Sequence, residues 1–82
     1  MKNNVRVIRE YKKISQTKLA ELAGISRPGL STIENNHKQA SLETAGKIAD
    51  ALNMSVDDVF FNKNVRLVIQ GTEHSAKITA SS

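Results

Sequence analysis

The 82-residue sequence contains no cysteine, which excludes disulfides, zinc sites built from thiolates and cysteine nucleophiles. Its two histidines, His37 and His74, are too few for a metal site made of histidine alone, and both lie in polar, loop-like stretches. No metal and no cofactor is therefore expected.

Long apolar runs are also missing. No stretch approaches the ~20 apolar residues needed to span a bilayer, and the start MKNNVRVIREYKK lacks the apolar segment of a signal peptide. A cytoplasmic protein without a membrane partner is expected. The chain suits one domain with a modest core, without room for a deep catalytic cleft. Because no nucleophile–base pair or carboxylate cluster is evident, the protein is not expected to be an enzyme.

Basic residues are concentrated in the first half of the chain. Residues 1–38 carry eight lysines and arginines against three acidic residues, a balance of +5. Residues 39–82 carry four against five, a balance of −1. A basic half beside a near-neutral half favours a polyanion-binding face on one side of the domain.

Apolar periodicity and capping residues predict five short helices within residues 1–61. Their starts are predicted at Asn4, Ser15, Ser26, Ser41 and Ser55. Gly24 stands just past the second helix, where a left-handed residue is favoured. Pro28 falls in the first turn of the third helix, where its missing N–H has no helical partner to lose.

The predicted core consists of apolar residues at helical spacing. In the second and third helices these are Leu19, Ala23, Ile25, Leu30 and Ile33, with Ala20 as the small residue where the helices cross. In the later helices they are Leu42, Ala45, Ile48, Ala49, Leu52, Met54, Val56, Val59 and Phe60. Some of the last few are also candidates for a dimer interface, and a pocket for a hydrophobic ligand is a further alternative.

After Asn62 the apolar residues follow a period of two. Val65, Leu67 and Ile69 alternate with Arg66, Val68 and Gln70, which predicts a strand with one buried face. The segment Ala76–Thr79 could return as a second strand. Residues 62–82 are thus predicted to form a C-terminal extension, a short strand or hairpin with frayed last residues. Its apolar face, Val65, Leu67 and Ile69, either pairs with a second copy or folds back on its own core.

The stretch QTKLAELAGISRPGLSTIEN, residues 16–35, resembles the helix-turn-helix of the lambda-repressor-like (Cro and xenobiotic-response-element) family. The likeness extends through ISQ before it and SLETAGKIADAL after it, and covers about residues 4–61. It implies an all-α, compact five-helix DNA-binding domain. It further implies that the third helix is the recognition helix and lies in the major groove.

The same resemblance implies that the exposed side of the third helix reads DNA bases, through Arg27, Pro28, Ser31 and Thr32. Arg27 can donate two parallel hydrogen bonds to guanine O6 and N7, although it could instead hold a phosphate. Pro28 either packs on a thymine methyl or serves only the first turn. Ordinary solvated positions are the alternative for Ser31 and Thr32. Gly29 either lets the helix sit deeper in the groove or is simply tolerated.

Phosphate contacts are expected on both sides of that helix. The candidates are Gln16, Ser26, Asn35, Asn36, His37 and Lys38. Family members often have glycine where Asn36 stands, and asparagine can also take the left-handed conformation. Lys12, Lys13 and Lys18 are expected to form a solvated basic rim. Arg9 and Glu34 stand where related repressors pair an arginine of the first helix with a glutamate ending the third, which implies a structural ion pair.

The sequence therefore predicts a sequence-specific regulator that binds a palindromic operator in double-stranded DNA as a homodimer, of bacterial or phage type. Repression by covering a promoter is the simplest mechanism for a chain with no effector domain. One alternative is the antitoxin of a toxin–antitoxin pair, in which a similar domain also binds a protein partner. Another is a protein-interaction adaptor that uses this fold without a specific operator.

Overall fold

The computed structural model describes residues 3–69, which form six α-helices and no strand within that range. The helices are α1 (Val5–Tyr11), α2 (Gln16–Ala23), α3 (Arg27–Glu34), α4 (Leu42–Leu52), α5 (Val56–Phe60) and α6 (Val65–Ile69). None of these helices is long and apolar enough to cross a membrane.

One hydrophobic core lies between the helices. α2 packs against α3 and α4, while α1 packs against α4, α5 and α6. The largest fully buried side chains are Val5, Ile8, Leu19, Leu30, Ile48, Leu52, Val59 and Val65. Ala20 and Ala23 are also buried, which allows the backbone of α2 to approach its neighbours closely. The core therefore holds α2 and α3 in a fixed relative orientation.

Serine hydroxyls begin four of the helices, as the sequence predicted. The Oγ atoms of Ser15, Ser26, Ser41 and Ser55 accept hydrogen bonds from the backbone N–H three residues later, at 3.0–3.1 Å. Each bond satisfies one of the amides that a helix leaves without a partner at its N-terminus.

Asn4 begins α1 differently, because its side chain does not cap that helix. Its Nδ2 instead donates to the carbonyls of Asp58 (2.9 Å) and Asn62 (2.7 Å), and its backbone N–H donates to the Val59 carbonyl (2.7 Å). These bonds join the start of α1 to the end of α5, across more than fifty residues of sequence. The sequence analysis did not anticipate this contact.

Four helices are followed, within two residues, by a residue with positive φ. These residues are Lys13, Gly24, Asn36 and Asn53. In each case the N–H of this residue and the N–H of the residue after it donate to carbonyls of the last helical turn. Gly24 (φ +71°) and Asn36 (φ +61°) adopt it as the sequence analysis expected, whereas Lys13 (φ +59°) bears a Cβ that disfavours it.

Replacing Lys13 by glycine is therefore expected to raise the free energy of unfolding by about 1 kcal/mol. Lys12 is exposed like Lys13 but has φ −82°, so Lys12→Gly should leave stability unchanged or lower it. Urea unfolding followed by circular dichroism measures both variants. Equal effects of the two substitutions would show that Lys13 is not strained.

The predicted strand after Asn62 is wrong for the described residues, since Val65–Ile69 is helical. Val65, Val68 and Ile69 fall at the i, i+3, i+4 spacing of one helix face, and these three are buried or half-buried. The same five residues fit a period of two only if Val68 is placed on the polar face. Packing against α1 favours the helical period over the period of two, because the helix turns Val65, Val68 and Ile69 to one side, whereas a strand would turn Val68 away from the other two. The predicted return strand Ala76–Thr79 lies outside the described residues.

Of the two alternatives for the apolar residues of that segment, the structure shows packing against the core of their own domain. Val65 is only 2% exposed and belongs to the core, and Ile69 packs against the core as well. Only Leu67 remains substantially exposed, at 41%. Leu42, which the sequence analysis placed in the core, is 84% exposed at the first position of α4.

Candidate nucleic-acid interface

α3 presents its N-terminal residues to solvent and buries its other side. The side chains of Leu30, Ile33 and Glu34 face the protein, whereas Arg27 and Pro28 are exposed. The Ser26 cap and the proline in the first turn define where this helix starts. Arg27 is thus held at the first helical position with its side chain exposed to solvent.

Gly29 has a structural role next to the cap. A Cβ added at Gly29 would lie 2.9 Å from Ser26 Oγ, closer than carbon and oxygen normally approach. The glycine therefore leaves room for the capping hydroxyl. The oxygen of Ser26, a predicted phosphate contact, accepts a hydrogen bond within the protein, and its O–H could still donate a hydrogen bond to a phosphate.

The other predicted base-reading residues are partly engaged within the helix. The Thr32 hydroxyl donates to the Pro28 carbonyl at 2.8 Å, and Ser31 Oγ accepts a long bond of 3.4 Å from Asn35 Nδ2. Both side chains are half-buried. Arg27 is therefore the residue of this set with the longest reach and the most unused donors.

Gln16 connects Arg27 to the interior of the domain. Arg27 Nη1 donates to Gln16 Oε1 at 3.1 Å, and Gln16 Nε2 donates to Glu34 Oε1 at 3.2 Å. The amide is thus fixed at both ends, and it links the first residue of α2 to both ends of α3. This bridge between two predicted DNA contacts was not anticipated from the sequence.

Beneath this bridge lies the ion pair that the family resemblance implied. Arg9 Nε and Nη2 donate to the two oxygens of Glu34 at 2.7 and 3.2 Å, and Arg9 Nη1 donates to the Ile14 carbonyl at 3.0 Å. The Glu34 side chain is fully buried and that of Arg9 is 12% exposed. The hydrogen bond to Glu34 raises the pKa of Arg9 above its ordinary value, so the guanidinium stays charged.

Arg6 is a second arginine beside the same carboxylate, and the sequence analysis did not single it out. Its Nε lies 3.6 Å from Glu34 Oε1, and its Nη2 donates to Asn35 Oδ1 at 2.9 Å. Half of its side chain is exposed. Its position three residues before Arg9, on the same side of α1, was a signal that could have identified it.

The predicted phosphate contacts after α3 lie together at the C-terminal end of that helix. Asn35, Asn36, His37 and Lys38 are all exposed. The backbone N–H groups of Asn36 and His37 return to the carbonyls of Ile33 and Thr32 at 3.0 Å, which fixes the path of the loop.

Asn3 also holds this loop, although nothing in the sequence pattern indicated it. Its Nδ2 donates to the Ile33 carbonyl at 2.9 Å and to Asn36 Oδ1 at 3.3 Å. The N-terminal segment therefore braces the end of α3. Between residues 3 and 69 no cluster of three or more acidic or histidine side chains is placed to hold a metal ion.

Known proteins are similar to this chain over the helical region that contains α2 and α3. The family model described as Helix-turn-helix matches residues 5–59. The N-terminal DNA-binding domain of SinR from Bacillus subtilis superposes with a TM-score of 0.68 and 31% sequence identity, over 73% of this chain and 88% of that one.

Related sequences carry regulatory names. YgzD of Bacillus subtilis (strain 168), named as an HTH-type transcriptional regulator, is 39% identical over 61 residues, 74% of this chain and 92% of that protein. The control protein C.SmaI of Serratia marcescens is 32% identical over 63 residues, 77% of this chain and 75% of the relative. The immunity repressor protein of Bacillus phage phi105 is 36% identical over 55 residues, 67% of this chain but 38% of the repressor.

Proposed function

We propose that this chain, which belongs to the helix-turn-helix family of DNA-binding transcriptional regulators, recognises a palindromic operator as a homodimer and represses transcription from it. The observation that carries the proposal is the position of Arg27, which is the first residue of α3 and is exposed to solvent. A single amide, Gln16, ties this arginine to a buried ion pair. Such a regulator acts where the chromosome is, in the cytoplasm.

Arg27 would read a guanine. A guanidinium has five N–H donors, and Gln16 occupies one of them in the free protein. The remaining donors are enough for the bidentate contact with O6 and N7 in the major groove. Because Gln16 restrains the side chain before DNA arrives, less rotational freedom is lost on binding. Ser31, Thr32 and Pro28 lie within the same helix and would contact neighbouring base pairs.

Phosphate contacts would orient α3 in the groove. The exposed side chains of Asn35, Asn36, His37 and Lys38 form one group at the end of that helix, and Gln16 lies at the start of α2. Such contacts fix the position of the domain on the duplex and carry little sequence information. Arg6, half exposed beside Asn35, adds positive charge to this surface.

Dimerisation follows from the small number of base contacts. One recognition helix of this length offers few side chains to the bases, so two half-sites ~34 Å apart would be combined to reach useful affinity. A bound dimer would cover a promoter directly, which makes repression the simplest outcome. The relative named an immunity repressor supports this direction of regulation.

The first experiment is a selection of bound duplexes from a random pool, using the full chain. A palindrome with half-sites one helical turn apart, or a multiple of it, is the expected result. The affinity for that palindrome and for a scrambled duplex would then be measured against salt concentration. If no motif emerges, or if the palindrome and the scrambled duplex bind equally well and weaken alike with salt, binding is purely electrostatic and the operator proposal is wrong.

A further inference from the structure

Glu34 has more positive charge around it than its single carboxylate needs. Arg9 donates two hydrogen bonds to the carboxylate, at 2.7 and 3.2 Å, and the Gln16 amide donates a third at 3.2 Å. Arg6 is a second arginine at the same group, but its Nε lies 3.6 Å from Glu34 Oε1, which is too far for a hydrogen bond. Because Arg9 already neutralises the buried carboxylate, the charge of Arg6 is in excess, and half of the Arg6 side chain is exposed.

The guanidinium of Arg6 is nevertheless restrained at the end of α3. Its Nη2 donates to Asn35 Oδ1 at 2.9 Å, and Asn35 Nδ2 in turn donates to Ser31 Oγ at 3.4 Å. Asn35 is the residue directly after α3. This contact spans 29 positions of sequence and places a positive charge from α1 at the C-terminal end of the proposed recognition helix.

Most of the hydrogen-bonding capacity of Arg6 is unused. A guanidinium has five N–H donors, and within residues 3–69 the bond to Asn35 is the only one that Arg6 donates. The exposed loop of Asn36, His37 and Lys38, which we propose to contact phosphate, begins at the next residue. A restrained arginine with excess charge and unused donors suits a phosphate, which can accept two parallel hydrogen bonds from one guanidinium.

We propose that Arg6 binds a phosphate of the DNA backbone, so that α1 contacts the duplex beside the C-terminal end of α3. The inference rests on the proposed function, because it takes α3 to lie in the major groove. Arg27 then holds the start of α3 and Arg6 holds its end. Contacts to phosphate set the position of a helix in the groove and carry little sequence information.

Arg6→Gln tests the proposal, because it removes the charge and keeps an amide that can donate to Asn35. One phosphate contact contributes about 0.9 to the slope of log affinity against log salt concentration. The slope should therefore fall by about 0.9 per subunit. Affinity at about 0.1 M salt should fall by roughly five- to tenfold per subunit, for the selected operator and a scrambled duplex alike. An unchanged slope would overturn the proposal.

Arg66→Gln and Arg6→Lys are the matched controls. Arg66 is an exposed arginine of α6, so its replacement removes the same charge from a helix outside the proposed interface. Its salt slope should stay close to that of the unaltered chain. A slope reduced as much as in Arg6→Gln would show that only net charge matters, and the proposal would be wrong. Arg6→Lys keeps the charge and should keep the slope, with a smaller loss of affinity than Arg6→Gln.

Unfolding measurements separate phosphate binding from a purely structural role. A cation at the C-terminal end of a helix also interacts favourably with the helix dipole, so Arg6 could serve only to stabilise α3. In that case urea unfolding would show Arg6→Gln to be destabilised, and its salt slope would match that of the unaltered chain. The proposal predicts the reverse, because a half-exposed ion pair at 3.6 Å contributes little to stability.

The contacted phosphate can be located with duplexes in which a single phosphate is replaced by a neutral methylphosphonate. At that position the replacement should weaken binding of the unaltered chain and leave Arg6→Gln unaffected. If every replacement weakens both proteins equally, Arg6 contacts no phosphate and the proposal is refuted. Absence of any sequence preference in the unaltered chain would instead refute the proposed function, while the salt slopes on the scrambled duplex would still report on Arg6.

Discussion

Replacing Glu34 by alanine is expected to lower the free energy of unfolding by about 3–5 kcal/mol. The substitution leaves the guanidinium of Arg9 without its carboxylate partner and removes two hydrogen bonds. The Arg9 side chain is only 12% exposed, so water cannot replace the carboxylate fully. Small domains are stable by only about 5–15 kcal/mol, so this single change removes a large part of the total. Thermal or urea unfolding followed by circular dichroism measures the loss.

Glu43→Ala provides the matched control for a surface pair. Glu43 lies 3.7 Å from Lys47 at i,i+4 spacing, with 80% of its side chain exposed. Its removal should cost only about 0.5 kcal/mol or less, because solvent screens an exposed pair. If Glu34→Ala costs no more than Glu43→Ala, the buried pair does not stabilise the fold.

The double variant Arg9→Met, Glu34→Leu separates stability from function. Apolar side chains of similar volume can replace a buried ion pair without loss of stability, so the double variant should recover most of what Glu34→Ala loses. It would nevertheless leave Gln16 Nε2 without its carboxylate partner. Weaker operator binding by a stably folded double variant would show that the ion pair also positions Gln16.

Arg27→Ala is expected to weaken binding to the selected operator by about 1–3 kcal/mol per half-site and to relax specificity at one base position. The reason is that alanine cannot make the bidentate contact with guanine that we propose for Arg27. Binding to scrambled DNA should change little. Repeating the selection with the variant, and titrating both duplexes, gives the base position and the energy together.

Lys38→Ala is the comparison that distinguishes base reading from phosphate binding. Lys38 is exposed in the loop after α3, where we propose that its charge contacts a phosphate. Its loss should weaken all sequences alike and reduce the salt dependence by about one charge per subunit. If Arg27→Ala behaves in this way instead, Arg27 holds a phosphate and another residue reads the base. Arg27→Lys should resemble Arg27→Ala at the operator, because lysine lacks the planar fork.

Much of the secondary structure could be predicted from short-range sequence patterns. The serine caps and Gly24 depend on groups within a few residues of one another, so the helix starts and the turn between α2 and α3 could be predicted. The helix-turn-helix resemblance rests on the same local pattern, and the family match over residues 5–59 confirms it. The joining of Arg9 and Glu34 came from that resemblance, since nothing local brings together residues 25 positions apart.

Where the local pattern is ambiguous, tertiary packing made the choice. The five residues from Val65 to Ile69 fit either a strand or a helix, and burial against α1 selects the helix. Leu42 has the right spacing for the core, but at the first position of α4 it is 84% exposed. Periodicity indicates which residues share a face, and only the packed structure shows which faces are covered.

What the sequence by itself determined is therefore the set of helices up to Phe60, the serine caps of four of them and the exposed start of α3, because neighbouring residues settle these. The tertiary structure alone decided the helical form of Val65–Ile69 and the exposure of Leu42. It also decided the contacts that Asn3 and Asn4 make with distant carbonyls and the bridge through Gln16. Each of these depends on groups far apart in the chain, whose meeting is set by how the whole core packs.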